Sequence, residues 1–404
     1  MLSVDEAFEK VLSGFAPIGC ESVALSDGLG RVLAEDVTAR LTQPPTDVSA
    51  MDGYAVRGAD VTEVPVTLTR VGESQAGCGF EGTVSAGETV RIFTGAPLPE
   101  GANTIVIQEV TEADGDQVLI KESAPFGDFV RPAGLDFRAG EVLLKAGKVL
   151  SARDIGLCAS MNVPWLTVRR KPRVAILATG DEVVMPGDPM GPDQIISSNS
   201  LALAAYVDVM GGLPVNLGIA RDTMESLRET LAGAKGADLL VTIGGASVGE
   251  YDLVQKVMGE EGLELNFYKV AMRPGKPLIF GHLGDIPVLG LPGNPVSVGV
   301  TSALFLQATM DVMLGIERIG RALETARLGR DLPKNGPRQD YMRAQLITGE
   351  DGELTALPFD GQDSSMMARF AKADCLVIRA PHAEPASVGQ RVEILRMRGG
   401  RAGF

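Results

Sequence analysis

The chain has 404 residues, 45% of them hydrophobic and 22% charged, with a formal net charge of −15. At roughly 150 residues per domain that length predicts two to three domains, and the composition excludes intrinsic disorder. The acidic balance offers no basic face, so neither nucleic acid nor a membrane is expected as a partner. An anionic substrate would need a pocket where a few positive groups converge. His282 and His382 are the two histidines, and the four cysteines contain no Cys-x-x-Cys pair. That rules out the usual Cys/His zinc site and argues against a Ser-His-Asp machine. The N-terminus MLSVDEAFEK has neither the basic nor the apolar region of a signal peptide. With so few cysteines, a cytoplasmic protein is expected.

From about Leu25 to Leu166 the sequence reads as β-rich, with alternating runs such as Thr89–Phe93 and Thr104–Ile107. Turn clusters at Asp114-Gly115-Asp116, Ala133-Gly134 and Ala139-Gly140 separate them. A hinge over Thr42–Thr46 and a junction near Arg138–Glu141 bound an inserted unit, and a helix follows over Ser151–Met161. After Pro172 the character changes. Val174–Ala178 is the continuous apolar run of a strand buried on both faces. The alternation continues as a helix over Ser200–Met210, a strand over Val215–Ala220, and a helix to Ala234 capped by Asp222 with Glu225 at N3. A strand over Leu239–Ile243, a helix over Asp252–Met258, strands over Asn266–Val270 and Pro287–Leu291, and a helix over Pro295–Met313 complete it. The uncharged stretch Ile286–Met310 is broken by Pro292-Gly293-Asn294-Pro295, which leaves too short a run for a membrane span. Strands return at Tyr341–Ile347, Leu354–Leu357, Cys375–Ile378 and Val392–Leu395, before a basic, glycine-rich tail over Arg396–Arg401. The expected fold class is α/β plus β: a central doubly wound parallel α/β domain, β-rich N-terminal domains and a small β-rich C-terminal domain. The expected divisions are 1–45 with 140–170, an N-terminal helix and extended linking domain; 46–139, the insert; 171–325; and 326–404.

In open α/β sheets ligands sit beyond the carboxyl ends of the strands. That rule selects Thr179–Glu182, the glycine loop Gly244–Gly249, Arg273–Pro277 and Leu291–Pro295, with Asp222 at the same edge. Glycine backbone N–H groups can close on an anion, and Arg273 and Lys276 flank a proline-stiffened turn suited to oxyanions. The turn Pro292–Pro295 reads first as a rigid corner in which Asn294 caps a helix. Asp181, Glu182, Asp222 and Asp252 could hold Mg²⁺ against phosphate oxygens or act as general base. Asp222 and Asp252 also read as helix caps. Together these residues suggest a phosphate-bearing substrate with Mg²⁺. In the β-rich half, Asp52 beside Gly53, and Thr94, read first as turn residues.

Six motifs occur in order: Ser49–Ala55, Phe93–Pro97, Thr179–Glu182, Gly245–Gly249, Pro274–Pro277 and Leu291–Ser297. In that order, over nearly the whole chain, they resemble the molybdopterin molybdenumtransferase family, the molybdenum-insertion enzymes of molybdenum cofactor synthesis, related to the E domain of gephyrin. The resemblance implies an elongated homodimer of four-domain subunits. It also implies a reaction in which adenylylated molybdopterin and molybdate give molybdenum cofactor and AMP with Mg²⁺. Carried over by position, it implies catalytic roles for Asp52, Glu182, Asp222 and Asp252, with Glu182 and Asp252 on the metal and Asp52 presented to the other subunit's pocket. It places Thr94, Thr179, Gly180, Gly244, Gly245, Ser247, Gly249, Arg273, Lys276, Pro292, Gly293, Asn294 and Pro295 around the substrate. Lys276, Pro277, Ser297, Arg343 and Ser364 would surround molybdate. Transient contacts with a molybdopterin adenylyltransferase and with apo-molybdoenzymes are implied as well. The chain departs from the family pattern at Arg273, where Lys is usual, at Ile243, where Ser or Thr is frequent, and at Ala246 in place of Val. Two other readings share part of the pattern. A molybdopterin adenylyltransferase would need neither the insert nor the last domain, and retention of the four carboxylates argues against a non-enzymic, gephyrin-like scaffold.

Overall fold

The computed structural model describes residues 1–244, 253–316, 323–350 and 352–397, with backbone alone for 253–256. The tail beyond Met397 therefore lies outside the described residues. The chain forms two compact units: Met1–Glu35 with Ala146–Ala152 and Thr167–Phe404, and Asp36–Lys145 with Arg153–Leu166.

In the larger unit, strand Arg173–Thr179 is buried from its second residue on. It pairs in parallel with Leu213–Ala220 on one side and Leu239–Ile243 on the other, and the latter pairs in parallel with Ile286–Leu291. Alternate side chains serve opposite faces. Val174, Ile176, Leu239 and Val241 pack with Leu203 and Val207 of helix Asn199–Val209 and with Val4, Ala7 and Val11 of helix Val4–Leu12. Ala175, Leu177 and Leu240 pack with Leu227 and Leu231 of helix Met224–Ala232 and with Val257 and Met258 of Leu253–Glu260. Helices on both faces of a parallel core make the expected doubly wound domain.

The sheet's far edge differs from the sequence reading. Ile279–Leu283 and Leu263–Phe267 extend it in antiparallel pairing, so the six-stranded sheet is mixed. The last of these replaces the strand expected over Asn266–Val270, and Ile279–Leu283 was not anticipated. The physical reason is the short link from Leu283 to Ile286, which permits a hairpin, whereas a parallel return needs a crossover of a dozen or more residues. The helix expected over Pro295–Met313 is also divided. Pro295–Thr301 and Gln307–Met313 flank a wide π-type turn, Ser302–Leu306. This segment is long and apolar enough to cross a membrane, but 83% of its most apolar window is buried inside the protein, which is the pattern of a core helix.

The C-terminal strands close into a small barrel. In order these are Gln339–Thr348, Leu354–Pro358, Leu323–Leu328, Arg391–Arg396 and Cys375–Arg379, the last pairing back onto the first. Met272–Arg273 adds to it in parallel with Gln339 and Asp340, so the basic turn of the α/β domain is stitched into the barrel's sheet.

The smaller unit holds a six-stranded sheet ordered Thr104–Ile107, Gly53–Val56, Glu88–Ile92, Val66–Ser74, Gln117–Ile120, Thr111–Asp114. Both of its faces are covered: Tyr54, Val56, Leu68 and Val106 lie in one cluster, and Ala55, Val90, Ile92 and Ile105 in the other.

One ion pair fixes the entry to the α/β sheet. Asp238 accepts from Arg170 Nη1 (2.7 Å) and Nη2 (2.5 Å) and from the Arg173 N–H (2.7 Å), tying the starts of two neighbouring strands together. Burial alone would raise the Asp238 pKa, but the Arg170 guanidinium and the Arg173 N–H overcome it and hold the carboxyl below its ordinary value. A lowered folded-state pKa stabilises above the unfolded-state value and is lost as pH falls. Asp238→Ala is therefore expected to cost roughly 2 kcal/mol at pH 7. In urea unfolding the gap between variant and wild type should narrow as pH drops through about 3.9.

Candidate active site

In the smaller unit, the two motifs Ser49–Ala55 and Phe93–Pro97 meet. Ser49 N donates to Ala96 O (2.9 Å) and Gly95 N donates to Ser49 O (2.8 Å). This lacing sets Asp52 against Thr94, and Asp52 Oδ1 accepts from the Thr94 N–H (2.7 Å) and hydroxyl (2.8 Å). These two donors, the backbone one foremost, hold the Asp52 carboxyl below its usual range, and Arg91 adds to the effect. Arg91 is itself fixed: its guanidinium lies 5.1 Å from the Tyr54 ring centre and 4.9 Å from that of Phe93, and Nη1 donates to Gly53 O (2.9 Å). Gly53 cannot be larger, because a Cβ there would fall 2.1 Å from Val106 O. Asp52 and Thr94 thus join the two motifs, with both Thr94 donors on one carboxylate oxygen.

In the larger unit, the carboxyl ends of the parallel strands open into a cavity of about 630 Å³. It is lined by Thr179 and Glu182 after the first strand, Gly244 after the third, Pro277 of the basic turn, and Pro292, Gly293, Asn294 and Pro295. Ile195–Asn199 and Ser365 complete the wall. Gly244 has φ +87°, and a Cβ there would lie 3.0 Å from Thr179 Oγ1. Gly180 has φ +131°, and its bare Cα is covered by the Glu182 carboxylate, 2.4 Å from where a Cβ would sit. Gly245, Ser247, Gly249 and Asp252, like Ala246, lie outside the described residues.

Asp222 stands at the same edge, and its backbone N–H donates to Asp181 Oδ1 (3.1 Å). The capping role expected of it belongs instead to Thr223, whose hydroxyl accepts from Ser226 N (3.2 Å). Thr223 has the extended backbone that a cap needs, so the capping sequence is displaced by one residue. Freed of that duty, Asp222 is left among like charges. Partial burial, then Asp181 and Glu182, push its pKa up.

The cap expected of Asn294 is likewise not made. Asn294 occupies the position before helix Pro295–Thr301 without a side-chain capping bond. Its Nδ2 donates to Ser364 Oγ (2.9 Å), and Ser364 O accepts from Val296 N (3.0 Å). Asn199, which the sequence reading did not select, donates from Nδ2 to Gly293 O (2.6 Å), and its signal was a polar Ser-Ser-Asn run opening a helix. Ser297 is buried at the same helix start, Lys276 is exposed, and Pro277 lines the cavity. Arg273 is engaged: its guanidinium pairs with Asp340, which is 4% exposed, so the charge expected for an oxyanion is shared with a carboxylate. Burial raises the Asp340 pKa against the pull of Arg273. Arg343 is fully buried, and its Nη2 donates to Asp363 O (2.9 Å).

Comparison with known proteins matches three consecutive regions. Residues 2–162 match the MoeA N-terminal region (domain I and II), 175–311 a probable molybdopterin binding domain, and 325–397 the MoeA C-terminal region (domain IV). A molybdopterin molybdenumtransferase of Nostoc sp. is 39% identical over 335 residues, 81% of this chain and 77% of that one. One from Haemophilus influenzae is 32% identical over 398 residues, 98% of each chain. The crystal structure of a molybdopterin biosynthesis MoeA protein from Pyrococcus horikosii superposes with a TM-score of 0.86 at 31% identity, covering 99% of this chain and 100% of that one. With three regions matched in order and relatives above 30% identity across nearly the full length, the chain belongs to the molybdopterin molybdenumtransferase family.

Proposed function

We propose that this protein inserts molybdate into adenylylated molybdopterin, releasing AMP and forming molybdenum cofactor, in an Mg²⁺-dependent reaction. The observation that carries the reading is the cavity at the sheet's carboxyl edge, where three of the six motifs converge on one space of mixed polar and apolar wall. Thr179, Gly180, Gly244 and the turn Pro292–Pro295 bind and orient the pterin nucleotide, and the two glycines let backbone approach it closely. Lys276, Pro277, Ser297, Arg343 and Ser364 hold molybdate through a cation, hydroxyls and backbone donors, a set suited to a tetrahedral dianion. Arg273, paired with Asp340, positions the basic turn as much as it supplies charge.

Among the described residues no three His, Cys, Asp or Glu side chains gather into a metal cluster. Mg²⁺ does not need one, because it keeps several waters and takes one or two carboxylates plus phosphate oxygens. The crowding of Asp181, Glu182 and Asp222 is the acidic edge such an ion would relieve. Glu182 with Asp252 would hold it, and it would supply charge neutralisation at the phosphate oxygens. Asp222, whose raised pKa suits a proton acceptor better than an ordinary Asp, orients the attacking water. Asp52, kept ionised by Thr94, is the second carboxylate of the reaction.

Four domains, a cytoplasmic homodimer, and transient contact with the adenylyltransferase and apo-molybdoenzymes complete the reading. The insertion activity is supported by full-length relatives named molybdopterin molybdenumtransferase. Family matches at 2–162 and 325–397 favour it over an adenylyltransferase, which would need the central region alone.

The direct test is AMP release from purified adenylylated molybdopterin with Mg²⁺, with and without molybdate. Release that depends on molybdate, with a product that activates an apo-molybdoenzyme, is the expected result; no release from folded protein that still binds the substrate would refute it. Asp52→Ala should lose about 10²–10⁴-fold in rate. Thr94→Val, which removes one of the two donors, should move the acid limb of the pH–rate profile upward. Asp222→Asn should separate activity from stability. A raised folded-state pKa favours the fold below the unfolded-state value and weakens it as pH rises through the folded one. The variant should therefore be at least as stable as wild type at pH 7 and lose that advantage below about pH 3.9 in denaturant titrations, while its turnover falls.

A further inference from the structure

Among the described residues, buried side-chain nitrogens without a hydrogen-bond partner include Arg343 Nε, Arg343 Nη1 and Arg369 Nη1. A buried donor left unmade is costly, and a guanidinium more so than an amide. Both arginines converge on one residue. Arg343 Nη2 reaches Gly361 O at 3.5 Å, and Arg369 Nη1 lies 2.2 Å from where a Cβ of Gly361 would be, its Cζ at 3.1 Å. The two guanidinium groups are therefore neighbours, packed over a glycine whose missing side chain makes the room. Burial lowers the Arg343 pKa, Asp363 counters that, and Arg369 adds to the lowering, as a second cation nearby must. The Asp363 carboxylate offsets Arg343 without hydrogen-bonding to it. Asp363 is exposed, and its Oδ1 is taken by the Ser365 N–H (2.9 Å) and hydroxyl (2.5 Å).

The segment carrying Gly361 and Arg369 is docked on the candidate site. Ser364 bonds twice to the start of helix Pro295–Thr301, Ser365 lines the cavity, and a Cβ at Gly299 would fall 2.2 Å from Phe370 Cζ. The two cations repel each other, keep three buried nitrogens unmatched, and have only the exposed Asp363 carboxylate to offset Arg343, so a further anion would be favoured there. We propose that Arg369 is a second guanidinium of the oxyanion subsite, acting with Arg343 to favour a tetrahedral dianion over a monoanion. Taking that dianion to be molybdate rests on the function proposed above, whereas the assignment of Arg369 rests on the geometry around Gly361. The sequence reading did not include Arg369.

The test uses the full chain and sodium molybdate, titrated by calorimetry, with sodium perrhenate as a monoanion of similar shape. Arg369→Gln is expected to weaken molybdate at least tenfold and perrhenate by much less, so that the preference between them collapses. Arg369→Lys should restore part of that preference. Gly361→Ala, which fills the space under Arg369 Nη1, should reproduce the loss with the arginine still present. Arg369→Gln, which relieves an unmatched buried cation, should unfold no lower than wild type, and binding of adenylylated molybdopterin should be unchanged in all three. Should Arg369→Gln fail to fold, Gly361→Ala and Arg369→Lys decide. Wild type that takes up molybdate, with variants that keep the same affinity and preference, would overturn the role of Arg369 and leave the insertion reaction standing. Wild type that neither binds molybdate nor releases AMP would overturn both.

Discussion

The structure depends on a close approach at the carboxyl edge of the parallel sheet. Strands Arg173–Thr179 and Leu239–Ile243 are buried side by side, so the chain leaving each of them must turn away within one or two residues. At Gly244 the chain turns at φ +87° with Thr179 Oγ1 and Thr179 O only 3.0 and 3.1 Å from where a Cβ would sit, and Gly244 N donates to Leu291 O (3.1 Å). Three strand ends are thereby held together with little side-chain bulk between them. A cavity forms because the loops must splay from a point that only backbone occupies, and that is the property a site for a phosphate-bearing ligand requires.

Around that point the Pro292–Pro295 turn acts as a hub. Asn199 bonds to the Gly293 carbonyl, and Asn294 and Val296 bond to Ser364. Residues distant in sequence thus fix one wall without a charged group being spent on it. The charged groups are kept for specific duties. Arg273 pairs with a nearly buried Asp340, and Arg170 with Asp238. Breaking a pair of this sort leaves one partner desolvated and unmatched, which makes the pairs structural commitments more than sources of net stability. By contrast, Asp222 sits among its own kind, and the Arg343–Arg369 pair is left with unmatched donors. Charges arranged against the fold's interest mark where a ligand of opposite sign would be welcomed.

Much of this was legible in the sequence, where periodicity carries information. The strand over Leu239–Ile243 coincides with the observed one, because Leu, Leu, Val, Thr and Ile between Asp238 and Gly244 make a short, largely β-branched and apolar run. The four β-rich segments of the last domain were also anticipated to within a few residues. What failed was the sheet's antiparallel edge, where the strand Ile279–Leu283 was not read at all. Nothing in Ile279–Leu283 distinguishes an antiparallel hairpin strand from a parallel one until the two-residue link to Ile286 is weighed. Capping failed at Asp222 for a related reason: Asp and Thr are both good caps, and the sequence Asp222-Thr223 cannot say which adopts the extended backbone. The motifs placed Thr179, Glu182 and the Pro292–Pro295 turn on the cavity wall, since each ends or follows a buried parallel strand. The pairing of Arg273 with Asp340 depends on how the barrel docks on the α/β domain, and no local pattern encodes it.

The divided helix Pro295–Met313 shows how packing and site are linked. Its first part is rich in β-branched residues, and the Thr301 hydroxyl donates back to Ser297 O (2.7 Å) and Val298 O (3.1 Å). Such back-bonding competes with the regular ladder, and the chain responds with the wide turn Ser302–Leu306. An extra residue in that turn rotates the second half of the helix relative to the first. Phe305, Met310 and Met313 therefore remain in the same core as Val296 and Val298, even though both parts of the helix are buried. A regular helix would have to give up either that core or the angle at which Pro295 leaves the sheet. Because that angle aims the turn at the cavity, the irregularity in the helix is the means by which the core and the site are satisfied together.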